Sequence, residues 1–154
     1  MANQAGKIRT YGLDNYVRLG IPKWELYIGA TITIPKYAEQ NVSNYIAYTP
    51  LFRSATTLVF EPDENWRFGL EASFNGIQYR TDLSVTSPYT FVATMIGYKY
   101  KKFTFVLNCE NLLDARQTRF ENIVIPPISN PRFKTLWAPI DGIVANFSIK
   151  YKIY

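Results

Sequence analysis

The sequence contains no histidine, a single cysteine and no apolar run long enough to cross a membrane as a helix. Each absence removes a class of function. Without histidine, the commonest general base and the commonest transition-metal ligand are gone. With Cys109 alone, no intrachain disulfide can form, and no imidazole is at hand to activate the thiol, so the residue reads as a small hydrophobe. A spanning helix needs roughly 18 or more consecutive apolar residues, and no segment approaches that. Charge is also sparse. Only 19% of residues are Asp, Glu, Lys or Arg, and the net charge of +5 is dispersed rather than clustered, which argues against a nucleic-acid partner. No phosphate-cradling loop, Ser/His/Asp set or metal-spaced cluster is present, so neither an enzyme nor a cofactor is expected. The start, Met1–Lys7, lacks a basic stretch followed by an apolar core, and no signal peptide is expected there.

What remains is rich in hydrophobic residues (47%) and in aromatics, with 12 Tyr and 10 Phe. Such side chains suit a pleated surface. The dominant pattern is alternation with period two. Trp24, Leu26, Ile28, Ala30, Ile32 and Ile34 form one apolar row; Trp66, Phe68, Leu70, Ala72 and Phe74 form another. A third row runs from Phe103 to Cys109, and the last takes Ala145, Phe147, Ile149 and Tyr151, against Asn146, Ser148 and Lys150. Less regular runs cover about Lys7–Leu19, Ser54–Glu61 and Thr90–Lys101. Seven strands are therefore predicted, with no helix of useful length. Short turns at Gly20–Lys23, Glu61–Asn65 and Lys101–Lys102 alternate with long loops at about Ala38–Arg53, Ile77–Tyr89 and Asp114–Ile140.

Alternating strands of about ten residues, joined by short turns at one end and long loops at the other, are the signature of a transmembrane β-barrel. Lipid offers no hydrogen-bond partners, so such a sheet must close or join further strands. Tryptophan, phenylalanine and tyrosine gather where strands leave the short turns, as amphipathic rings do at membrane–water interfaces. Two alternatives share the alternation: a complete small outer-membrane barrel with a structural or adhesion role, and a soluble ligand-binding barrel. For the small barrel, an eighth strand would have to come from Pro50–Arg53 or Asn122–Ile128.

The run Asn108-Cys109-Glu110-Asn111-Leu112-Leu113-Asp114-Ala115-Arg116-Gln117 resembles the asparagine-leucine-(leucine or phenylalanine)-aspartate element of the penultimate strand in TonB-dependent outer-membrane receptors. Asn130-Pro131-Arg132-Phe133 and Trp137-Ala138-Pro139-Ile140-Asp141-Gly142, leading into a terminal strand to Tyr154, look like the Bacteroidetes-type members. The resemblance implies an all-β fold of antiparallel transmembrane strands: residues 1–154 would be the carboxy-terminal part of a barrel of about 22 strands. It implies outer-membrane lipid and the rest of the receptor, plug and other strands, as partners. TonB would be reached only through parts not represented in these residues. The expected function is a segment, inert alone, of a receptor for an iron–siderophore complex or a similarly scarce solute. One departure stands out: Tyr154 falls in the row of Lys150 and Lys152, off the apolar row.

The candidate ligand-facing residues are Arg80, Asp82, Arg116, Arg119, Arg132 and Lys134, in the Ile77–Tyr89 and Asp114–Ile140 loops. Basic loop residues would suit an anionic iron chelate, although exposed loop charge is common for solvation alone. The acidic turn Glu61, Asp63, Glu64 reads as a solvated turn rather than a calcium site. Glu71 and Glu110, on polar rows of different strands, read as lumen residues facing the plug.

Overall fold

The computed structural model describes residues 8–37 and 46–153. Seven long strands make one antiparallel sheet: β1 (Ile8–Ile21), β2 (Trp24–Tyr37), β3 (Phe52–Phe60), β4 (Trp66–Asn75), β5 (Tyr89–Tyr100), β6 (Phe103–Glu110) and β9 (Val144–Tyr151). Between β6 and β9 the chain makes a single helical turn, α1 (Gln117–Phe120), and a small separate hairpin of β7 (Val124–Ile125) and β8 (Arg132–Phe133). Each long strand pairs with its sequence neighbour, in the order β1-β2-β3-β4-β5-β6-β9.

The short turns are built by local chemistry. Ile21 pairs with Trp24, so Pro22 and Lys23 alone make the first turn, with Lys23 at φ 72° after the fixed φ of proline. Lys101, at φ 55°, opens the two-residue turn between Tyr100 and Phe103. In the β3–β4 turn, the Asp63 carboxylate accepts the backbone N–H groups of Asn65 and Trp66, at 2.8 and 2.9 Å. Glu61 faces Arg67 at 3.3 Å. Glu61 and Asp63 are thus used in shaping that turn, and among the described residues no group of three potential ligands gathers for a metal.

The register sorts side chains sharply. Trp24 faces Phe60, Phe60 faces Phe68, Phe68 faces Ile96, Ile96 faces Leu107 and Leu107 faces Phe147. Directly opposed residues share a face, so the apolar rows merge into one continuous surface. Among the strand residues whose side chains are described, charges take the other face, with Arg9 near the loop end as the exception. Near the turns, rings touch in series: Trp24 stacks on Phe60 at 4.1 Å, Trp66 lies 4.4 Å from Tyr98 and Phe103 lies 4.9 Å from Tyr151.

Burial is inverted relative to a water-soluble domain. Among the described residues only Ala115 and Trp137 are buried hydrophobics, and both lie in the last long loop. Phe147 is 61% exposed and Ile149 59%. The polar face carries the hollows, two of about 330 Å³ each.

The seven expected strands are all present. Several are longer than the sequence pattern indicated: β1 reaches Ile21, β2 continues through Pro35, and β3 begins at Phe52. Pro35 is accommodated because it lies beyond Ile32, where pairing with β3 ends and β2 has only β1 beside it. An eighth wall strand does not form from either proposed stretch. Phe52 and Arg53 belong to β3, and Val124–Ile125 pairs inside the loop. Among the described residues β1 and β9 do not pair with each other, so the sheet stays open. Part of the first long loop, and Lys7 and Tyr154, lie outside the described residues.

Candidate functional site at the loop end

The β4–β5 and β6–β9 loops fold onto each other at the end of the sheet opposite the short turns. Gln117 and Glu121, four apart, fall on one side of the α1 turn. Gln117 is fully buried: Trp137 N–H donates to its Oε1 at 2.9 Å, and its Nε2 donates to the Thr135 carbonyl at 3.1 Å. Glu121 collects the donors around it. Its Oε1 accepts from Arg80 Nη2 at 2.8 Å, Trp137 Nε1 at 2.6 Å and Gln117 Nε2 at 3.1 Å, and its Oε2 from Lys134 Nζ at 2.8 Å. Burial opposes its ionisation, but the Lys134 and Trp137 hydrogen bonds and the Arg80 charge outweigh that and hold its pKa below the ordinary glutamate value. Arg80 comes from the β4–β5 loop and the rest from the β6–β9 loop, so one carboxylate joins the two. The Gln78 side chain adds a weaker link, donating to the Trp137 carbonyl at 3.4 Å.

A second knot sits at the loop's base. Asn111, 2% exposed and at φ 54°, accepts Ala115 N–H at 2.8 Å. Its Nδ2 donates to the carbonyls of Ala115 at 3.1 Å and Asp141 at 2.9 Å. The two ends of a long excursion are thereby held together just before β9 starts. Asp114 pairs with Arg116 at 2.8 Å and Arg119 at 3.1 Å, and packs so close to Gly142 that a Cβ there would lie 2.6 Å from its Oδ1. The Asn-Leu-Leu-Asp run and the Asp-Gly pair are therefore two halves of one clamp.

The six candidate residues are thus differently placed. Arg80 and Lys134 converge on Glu121, while Arg116 and Arg119 converge on Asp114. Asp82 caps its own turn by accepting the Ser84 hydroxyl and N–H, which holds its carboxyl below the usual range. Arg132, on exposed β8, has no ion-pair partner among the described residues. Sequence reasoning passed over Glu121 and gave Gln117 and Trp137, quoted within the runs that carry the resemblance, no role of their own; three polar or amphipathic residues scattered over a loop carry no spacing signal. Nor did it bring Glu71 and Glu110 together. Both line one hollow of the polar face, with Arg67 and Asn108, because Glu71 opposes Ala93 and Glu110 follows the residue opposite Thr94.

An antiparallel meander with one continuous apolar face, hollows on its polar face and all long connections at one end is a segment of β-barrel wall. Comparison with solved structures agrees. The chain superposes on the ferric-catecholate import receptor Fiu of Escherichia coli K12, in its closed form, with a TM-score of 0.69. The match covers 97% of this chain and 22% of that receptor, at 19% identity, a level that shows the fold. No family model matches the sequence, and no curated protein does.

Proposed function

We propose that these residues form the carboxy-terminal part of the barrel wall of a TonB-dependent outer-membrane receptor that takes up an iron–siderophore complex or a similar scarce solute. The observation that carries this reading is the inverted burial. The sequence is 47% hydrophobic, yet among the described residues almost none of those side chains is buried, and the strands' apolar rows share one exposed face, which water would not tolerate and lipid would. The polar face then lines the lumen, where the remaining strands and a plug would meet it. The open edges of β1 and β9 are the places where further strands would pair. The likeness to an iron-chelate import receptor supports the choice of solute. The narrower Bacteroidetes-type assignment rests only on the resemblance of Asn130–Phe133, Trp137–Gly142 and the terminal strand, and the matched receptor, from E. coli, adds nothing to it.

In this reading the loop end is the outer mouth. Arg80, Asp82, Arg116, Arg119, Arg132 and Lys134 are the proposed ligand-facing residues, but with unequal roles. Arg132 is free to meet an anion, while Arg80, Arg116, Arg119 and Lys134 chiefly fix loop shape through Glu121 and Asp114.

Expressing the chain alone tests the reading. Without detergent it should aggregate, and it should restore no growth on an iron chelate in a receptor-deleted strain. A sharp monomeric gel-filtration peak in plain buffer would favour the soluble ligand-binding barrel instead.

A further inference from the structure

We propose that the hollow between β2, β3 and β4 beneath the loop end is a binding subsite for a small, oxygen-rich anion, with Arg53 as its charged contact. This hollow of about 330 Å³ is distinct from the carboxylate-lined one nearer the short turns. Thr31, Thr33, Thr49, Ser73 and Asn75 line it, and no carboxylate does. The register explains the grouping: Arg53 opposes Thr31 on one side and Asn75 on the other, so the guanidinium stands in a row of neutral hydrogen-bonding groups. Arg53 is exposed and has no ion-pair partner among the described residues. Of the neighbouring hydroxyls, Thr31 donates to Asp14 at 2.9 Å.

These groups match one class of ligand. A guanidinium presents a planar fork of donors that engages carboxylate or phosphate oxygens two at a time. Hydroxyls and an amide can donate to the remaining oxygens or accept from ligand hydroxyls. The volume lies at the small end of ligand pockets. Gly29 forms part of the floor, and a Cβ added there would meet nothing nearer than the Ala55 and Asn15 carbonyls at 3.9 Å. The hollow is therefore space that a side chain could fill without moving the backbone.

The subsite rests on the barrel-wall reading only in needing the polar face to be wet. The test uses the chain folded in detergent micelles, with strand content checked by circular dichroism, and citrate and inorganic phosphate as probes in calorimetric titrations. Glucose serves as the neutral control. Arg53→Gln should weaken citrate binding at least tenfold, Arg53→Lys should recover part of it, and Lys150→Gln, on distant β9, should leave it unchanged. Gly29→Val, which changes no charge, should also weaken binding at least tenfold by occupying the floor. Citrate binding that survives both Arg53→Gln and Gly29→Val in folded protein would overturn the subsite while leaving the barrel-wall reading standing. Equal binding of glucose would overturn the role given to charge. If phosphate binds and citrate does not, the anion is phosphate-like, and headgroup-bearing lipid added to the micelles should then compete with it.

Discussion

The wall and the loop assembly obey opposite packing rules within one short chain. The strands bury almost nothing: among the described residues, Gly97 is the one buried position in a long strand, and the other seven lie in the β4–β5 and β6–β9 loops. Those seven include Gln78, Asn111 and Gln117, so the most protein-like interior in the molecule is polar and hydrogen-bonded. The contrast teaches where each region obtains its shape. The wall is specified by register and by the solvent outside it. The loops are specified by a few buried polar residues whose partners must all be present at once.

The contrast can be broken first in the wall. Phe147→Arg places a charge on the apolar face, where on the proposed reading a lipid-facing Arg near mid-membrane costs roughly 2–4 kcal/mol, while Ser148→Arg one position along lies on the polar face and should cost far less. Folded barrel yield in the proposed full-length receptor, read by heat-modifiable gel mobility, should fall for the first and hold for the second. Equal yields would mean the two faces meet the same solvent.

Asn111→Ala should have the next largest effect. It strips Ala115 of two hydrogen bonds and places alanine at φ 54°, for a combined cost of about 2–4 kcal/mol. Asn111→Gly tolerates that backbone and should recover about 1 kcal/mol of the loss. Hydrogen exchange should rise at the loop base, around Ala115 and Gly142, in both variants. No difference between Ala and Gly would remove backbone conformation from the account.

Glu121→Ala should loosen both long loops together, by about 1–3 kcal/mol after allowing for the partial exposure of Arg80 and Lys134. Limited proteolysis should open sites after Arg80 as well as after Lys134. Cleavage confined to the β6–β9 loop would show that Glu121 does not join the two.

The smallest effect concerns pH. Because the Glu121 pKa is depressed in the fold, its contribution is complete above the ordinary value of 4.5 and is lost as pH falls through the lower folded value. Loop protection should therefore hold at neutral pH and decline only under acid, and Glu121→Gln should flatten that decline. Loss of protection above the ordinary value would contradict the assignment.

The wall was legible in the sequence because a strand writes its facing into every second residue. The rows beginning at Trp24, Trp66 and Phe103 could be traced without a structure, and each lands on the apolar face. Even the weak first run, interrupted by Asn15, is a strand, because its partner β2 is so regular. Strand ends were less legible. Phe52 and Arg53 looked like loop residues beside Pro50, yet backbone pairing with Ile32 and Thr31 draws them into β3. The loop assembly was not legible. Asn111 and Asp114 were conspicuous through resemblance, but their partners Asp141 and Gly142 lie about thirty residues on, and Glu121 meets Arg80 forty-one residues before it. Such contacts depend on how the loops return, which no local period records.

The central claim is that the apolar face lies against lipid. Spin labels placed singly from Ala145 to Lys150, in a receptor whose Cys109 is replaced by serine, test it directly. In bilayers, oxygen should relax the labels at Ala145, Phe147 and Ile149, and a water-soluble nickel chelate those at Asn146, Ser148 and Lys150, in alternation with period two. Uniform nickel access along the strand, or the opposite phase, would contradict it.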